Sequence, residues 1–205
     1  MYISIGSDCV TKTRIEELKY DGKKQESNLF DWVLSDLDTV NYILKQGPNS
    51  SIFDITNWEI LTKTIDDKWA IKNKSCYFIS LHDTSSNLTH NEAFHIVSDK
   101  YKRRLLRFFD RVTLEEELHF IGVFDKSNPI HTGNNILSST SIAEFQQIIA
   151  NLRTTKLPAK STFVIDDLSQ IQYIPDNANI IDSNTHYLKD WFRFFLDWKN
   201  MLSNI

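Results

Sequence analysis

The sequence predicts an α/β fold, a three-layer sandwich built on a mostly parallel, Rossmann-like central sheet, with residues 1–205 forming a single domain. Three observations predict it. Short apolar runs rich in β-branched and aromatic residues recur along the chain, as strands buried on both faces do. Between them lie longer stretches with apolar residues at spacings of three and four, the mark of amphipathic helices. The composition is that of an ordinary globular domain, 41% hydrophobic and 24% charged over 205 residues, enough to bury a core without staples. Strand and helix alternate throughout, which favours a layered parallel sheet.

The elements follow in order. Residues 2–5 form the first strand, ended by Gly6. Ser7 or Asp8 caps a helix over about 9–18. Residues 37–44 form a second helix that stops before Gly47-Pro48. Residues 76–81 form the second strand. The clearest helix covers 91–112, where Phe94, Val97, Tyr101, Leu105, Phe108 and Val112 recur on one face. Residues 118–124 are the third strand, and 126–140 a long loop marked by Ser127-Asn128-Pro129 and Thr132-Gly133-Asn134-Asn135. A helix over 141–152 opens with Ser141 and Glu144 in a capping-box pattern. Residues 162–165 and 178–181 complete the strands. The last helix, 187–201, is aromatic (Tyr187, Trp191, Phe194, Phe195, Trp198) and is expected to pack on the sheet.

Charge and motifs exclude several functions. The net charge is −4 and the isoelectric point about 5.9, which disfavours binding to nucleic acid or an anionic membrane. No secretory leader and no apolar run of membrane-spanning length are seen, so a cytoplasmic location is expected. Two cysteines, Cys9 and Cys76, give no disulfide framework and too few thiolates for a structural zinc site. P-loop, dinucleotide-binding and nucleophile-elbow motifs are absent, and five glycines leave little material for a phosphate-cradling loop. No cofactor and no metal are expected. Asp166-Asp167, at the end of a strand, lack partner ligands at a recognisable spacing. Oligomeric state is not readable from the chain.

Chemistry centres on the first strand-to-helix turn, Gly6-Ser7-Asp8-Cys9. Ligands of parallel sheets bind beyond the carboxyl ends of the strands. A cysteine at a helix start has its thiolate favoured by the backbone N–H groups, which also stabilise an oxyanion. The competing reading makes Ser7 and Asp8 simple caps and Cys9 a small core residue. A cysteine nucleophile needs a base. His82 follows a predicted strand directly, with Asp83 beside it, and His186 follows the fifth strand. His131 lies in the long loop, whereas His90, His95 and His119 are expected to be structural. Arg103 and Arg107 share a helix face, with Arg104 about a hundred degrees away. They could clamp an anionic group or pair with Asp110 and Glu115-Glu116-Glu117.

Three patches together resemble a family of bacterial and viral proteins described as papain-like cysteine peptidases. They are Ile3-Ser4-Ile5-Gly6-Ser7-Asp8-Cys9; Ser27-Asn28-Leu29-Phe30-Asp31-Trp32, similar to an S-x-P-F-D-W segment with Leu29 in place of proline; and Leu81-His82-Asp83 followed by Tyr101-Lys102-Arg103-Arg104-Leu105-Leu106-Arg107-Phe108. The likeness covers about residues 1–125. It implies a cysteine–histidine hydrolase or acyl transferase with Cys9 as nucleophile, His82 as general base and Asp83 or Asp31 as the orienting group. Gly6, Ser7, Asp8, Asn28, Asp31, Trp32, Arg103, Arg104, Arg107 and His186 are then expected to hold or brace a small-molecule, peptide or glycan substrate. A glycan-assembly role is implied by analogy. The architecture is also similar to GDSL/SGNH hydrolases, with Asp182 and His186 as the C-terminal pair, though their spacing departs from D-x-x-H. The alternatives are a glycan-pathway transferase that never uses Cys9 covalently and a non-enzymatic binding domain.

Overall fold

A computed structural model describes residues 2–5, 27–115, 117–124, 137–154, 157–165 and 168–182. The predicted helices 9–18 and 187–201 lie outside the described residues, as do Gly6, Ser7, Asp8, Cys9, His131, Asp166-Asp167 and His186.

The class is mixed α/β, with two four-stranded sheets rather than one. The first is parallel and contains β1 (Tyr2–Ser4), β6 (His119–Phe124), β7 (Lys160–Ile165) and β8 (Ala178–Asp182), in that spatial order. Each ladder is parallel, and Phe124, Ile165 and Asp182 lie in register at the carboxyl end of their strands. Ile5 extends the β1 pairing by donating its N–H to the Ile121 carbonyl at 2.8 Å. All six residues of β6 are buried, as expected of an apolar strand flanked on both edges. Gly122 is required inside it. A Cβ there would stand 2.5 Å from the Phe124 ring and 2.9 Å from the Ile5 carbonyl oxygen.

The second sheet is antiparallel, where the sequence pattern predicts a single mostly parallel one. It contains β2 (Val33–Leu34), β3 (Trp58–Lys63), β4 (Trp69–Asn73) and β5 (Ile79–Ser80), ordered β2-β5-β4-β3. The predicted strand 76–81 therefore shrinks to β5 and changes sheet. Its first residues spend their donors elsewhere: Tyr77 N–H goes to Thr39 Oγ1 (3.1 Å) and Phe78 N–H to the Cys76 carbonyl (2.9 Å), leaving no ladder there.

Three helices occur among the described residues. In α1 (Leu37–Gln46), the Asp36 side chain accepts from Thr39 N–H at 2.7 Å, and Gly47, at φ 79°, closes the end. Thr89 and Glu92 form a reciprocal capping box at the start of α2 (His90–Leu114). Its buried face, Ala93, Val97, Tyr101, Arg104, Leu105, Phe108 and Val112, follows the predicted period. In α3 (Ser139–Leu152) the cap is Ser138, not Ser141. Ser141 N–H donates to Ser138 Oγ (3.0 Å), while the Ser141 hydroxyl donates to Asp38 and Glu144 pairs with Lys45 of α1. Tertiary partners thus take the groups that would have formed the local box.

One cluster of buried apolar side chains spans both sheets, and α2 joins them. On one side Tyr101 packs edge-on against Phe78 (4.8 Å between ring centres) and at a tilt against Phe53 (5.7 Å), which stacks on Trp58. On the other, Phe108 meets Phe120, which continues to Phe145 and Phe163. Edge-on aromatic pairs at these separations add to the burial gain. No helix among the described residues is long and apolar enough to cross a membrane.

Candidate active site

The described part of the site is a polar seam along α2 that ties the end of β1 to two loops. The first loop is Asn28-Leu29-Phe30-Asp31-Trp32. Leu29 and Phe30 are fully buried, and Phe30 meets Phe108 edge-on at 5.5 Å. That anchoring drives Asp31 into the interior, where it is fully buried. A buried carboxylate must be satisfied. Asp31 Oδ1 accepts from Ser4 Oγ at 2.7 Å, Oδ2 accepts from Asn28 N–H at 2.6 Å, and its carbonyl accepts from Arg104 Nη1 at 2.9 Å. Arg111 Nη1 donates to Asn28 Oδ1 at 2.6 Å. Asp31 therefore fixes the loop against Ser4, the last residue of β1 and five positions before Cys9.

The second loop follows β5 and carries His82 and Asp83. Asp83 is nearly buried and is gripped by Lys100, by the Tyr101 hydroxyl and by Ser80 Oγ (2.6 Å). Burial alone pushes its carboxyl up, but the Lys100 ammonium and the three hydrogen bonds outweigh this and hold it below its ordinary range. The Lys100 pKa is lowered as well, which for an ammonium disfavours the charged form. Burial lowers its pKa more than Asp83 restores it, with Arg104 and Arg103 adding to the fall. The ionised pair is the state that satisfies all of these donors. Arg104 is buried and lies over the Tyr101 ring at 5.5 Å, so Lys100, Tyr101 and Arg104 link the two loops across one turn of helix.

The predicted residues thus divide. Asn28, Asp31, Asp83 and Arg104 are brought into the seam. Trp32 is partly exposed at its edge, with φ 68°. His82 is exposed, two residues beyond β5 in the antiparallel sheet, and makes no hydrogen bond to a described residue. Arg103 is exposed and donates to the Asp99 carbonyl at 3.3 Å, and Arg107 is half-buried. Arg104 faces inward while Arg103 faces out, so the basic cluster is not one clamp. His119 is buried against Thr162 Oγ1 at 2.9 Å, with its pKa pushed down to about 4, first by burial and then by Lys160. His90 and His95 are exposed rather than interior.

Sequence reasoning passed over Ser4, Ser80 and Lys100. Ser4 could have been found as a lone hydroxyl inside a strand buried on both faces. Lys100 could have been found as the residue four before Arg104 on the same helix stripe.

Of the two cysteines, only Cys76 is described. Its thiol contacts Asn73 Oδ1 at 3.6 Å, and burial, reinforced by Asp36, pushes its pKa up to about 12 despite Lys72. Almost no thiolate exists there at neutral pH. Among the described residues no group of His, Cys, Asp and Glu could hold a metal ion.

Comparison with known proteins gives one family. Residues 1–168 match the model of the family described as "Putative papain-like cysteine peptidase (DUF1796)". No curated protein and no solved structure matches the chain.

Proposed function

Because the chain belongs to this family of papain-like cysteine peptidases, we propose that it is a cysteine-dependent acyl hydrolase with Cys9 as its nucleophile. The observation that carries the choice of residue is the state of Cys76. The chain has two cysteines, and the thiol of Cys76 is pushed up to about 12. That favours Cys9 as the nucleophile in this reading. In this reading the Cys9 thiolate attacks the acyl carbon, forming a C–S bond and a tetrahedral oxyanion. The oxyanion collapses and expels the leaving amine or alcohol, which takes its proton from His82. Water, deprotonated by His82, then cleaves the thioester and regenerates the thiol. Asp83 acts on His82 through the short loop they share, held in place by Lys100, Tyr101 and Ser80. Asp31, through Ser4, sets the end of β1 from which the chain runs to Cys9.

The same thioester would serve an acyl transferase if an amine or hydroxyl replaced water, and a peptide or a glycan could supply the acyl or acceptor group. A three-layer arrangement about the parallel sheet and a reducing, cytoplasmic location belong to this reading too.

The test is the pH dependence of iodoacetamide labelling at Cys9, with Cys76→Ser as background. The expected result is an apparent pKa well below about 8.5, raised in His82→Gln. An unperturbed value, or labelling only after unfolding, would overturn it.

A further inference from the structure

Three described non-glycine residues have positive φ: Asp67 (55°), Asn177 (63°) and Trp32 (68°). Asp and Asn reach this region readily because their short polar side chains bond locally, whereas a bulky aromatic does so only under constraint. Trp32 is constrained on both sides. Before it, the Asp31 carbonyl is held by Arg104 Nη1 at 2.9 Å and the Asp31 carboxylate by Ser4 and Asn28. After it, Val33 is locked opposite Ser80 in the β2/β5 ladder.

Packing among the described residues does not explain the strain. Phe30 and Val33, flanking the position, are fully buried, yet Trp32 stays partly exposed. Trp58 stacks on Phe53, and Trp69 Nε1 donates to the Leu88 carbonyl at 3.1 Å. Trp32 has neither a ring partner nor a hydrogen bond from its indole among the described residues. A strained residue held by a buried network, whose partly exposed side chain has no partner among the described residues, is left for a partner outside the fold.

We propose that Trp32 is a substrate platform beside the end of β1, taking the flat apolar face of a group attached to the reacting acyl unit: an aromatic side chain or a sugar ring. That the substrate is an acyl compound rests on the Cys9 reading. The platform rests on Trp32 alone.

The test compares Cys9 labelling by chloroacetamide, N-benzyl chloroacetamide and an N-glucopyranosyl chloroacetamide. In Trp32→Ala, the rate advantage of one ring-bearing probe over chloroacetamide is expected to fall about three- to tenfold, the worth of one aromatic contact. Trp32→Phe retains most of it. Loss for the benzyl probe alone assigns a peptide-like group, and loss for the glucosyl probe alone a glycan. An unchanged ratio for both overturns the platform. Trp32→Gly separates function from folding. Relief of the positive φ offsets lost contacts, so its Tm is expected to stay within about 3 °C of the parent, whereas a core tryptophan would cost more than about 8 °C. The larger drop would overturn the proposal. If no probe labels Cys9, the nucleophile reading fails and the platform is judged separately. The indole N–H resonance of Trp32, identified by its loss in Trp32→Phe, should shift saturably with benzyl alcohol or methyl glucoside. No shift with either overturns it.

Discussion

Removal of the Asp31 carboxylate should unlock the seam, and its cost follows from the hydrogen bonds. Asp31 is fully buried, and its two oxygens satisfy Ser4 Oγ–H at 2.7 Å and Asn28 N–H at 2.6 Å. Asp31→Ala leaves both donors unpaired in a space closed to water. At about 1–3 kcal/mol for each orphaned group, the expected loss is about 3–5 kcal/mol. Asp31→Asn keeps the shape but turns one oxygen into a donor. If its amide faces Ser4, the hydroxyl can rotate to accept, so the loss should be about 1–2 kcal/mol. Ser4→Ala leaves only part of one carboxylate oxygen unmet, again about 1–2 kcal/mol. Urea unfolding followed by far-ultraviolet circular dichroism would measure all three, with Ser4→Ala/Asp31→Asn closing a double-mutant cycle. For a chain of this size 1 kcal/mol moves Tm by about 2–4 °C, so Asp31→Ala should melt roughly 6–20 °C early. A loss under about 0.5 kcal/mol for Asp31→Ala, or zero coupling in the cycle, would refute a load on this bond.

Three further outcomes are expected. The pKa of His119 is held at about 4 against 6.5 unfolded, so stability should be complete above about pH 6.5 and fall as pH drops toward 4. The loss should be about 1–3 kcal/mol after allowance for partial solvent screening, and largely absent in His119→Gln. Acid titration monitored by fluorescence checks it. The Asp83 carboxyl is held below its ordinary value, so its contribution is present above about pH 4 and disappears as pH falls through its folded value. Lys100→Met should destabilise the protein by about 2–4 kcal/mol at pH 7 and flatten that acid limb in the same titration. Gly122→Ala should cost about 1–3 kcal/mol, because its methyl meets the Phe124 ring and the Ile5 carbonyl, and Gly122→Ala/Phe124→Leu should recover part of it in thermal melts.

What could be read from the chain was local. The apolar period from Phe94 to Val112 recurs at spacings of three and four, and it predicts α2 within two residues of its observed ends, although Ala93 rather than Phe94 begins the buried face. The continuous apolar runs of β6 and β7 reported burial on both faces, so the parallel strands were legible. The motif residues Asn28, Asp31, Asp83 and Arg104 were legible as a set, though not as the partners they become. The antiparallel sheet was not legible, because two-residue strands such as β2 and β5 are too short to show a period, and β3 is exposed along half its length.

The side-chain pattern determined which segments are helix and strand wherever one face of a segment had to be buried, since that requirement is written at spacings of two or three to four residues. Only the tertiary structure decided the partners. Arg104 finds the Asp31 carbonyl 73 residues away, and Asp83 finds Lys100 and Tyr101 across 17 and 18. It also decided that the Cys76 thiol is pushed up, because a thiol's pKa is set by the solvent it loses and the charges brought near it, and neither is a property of neighbouring residues in the chain.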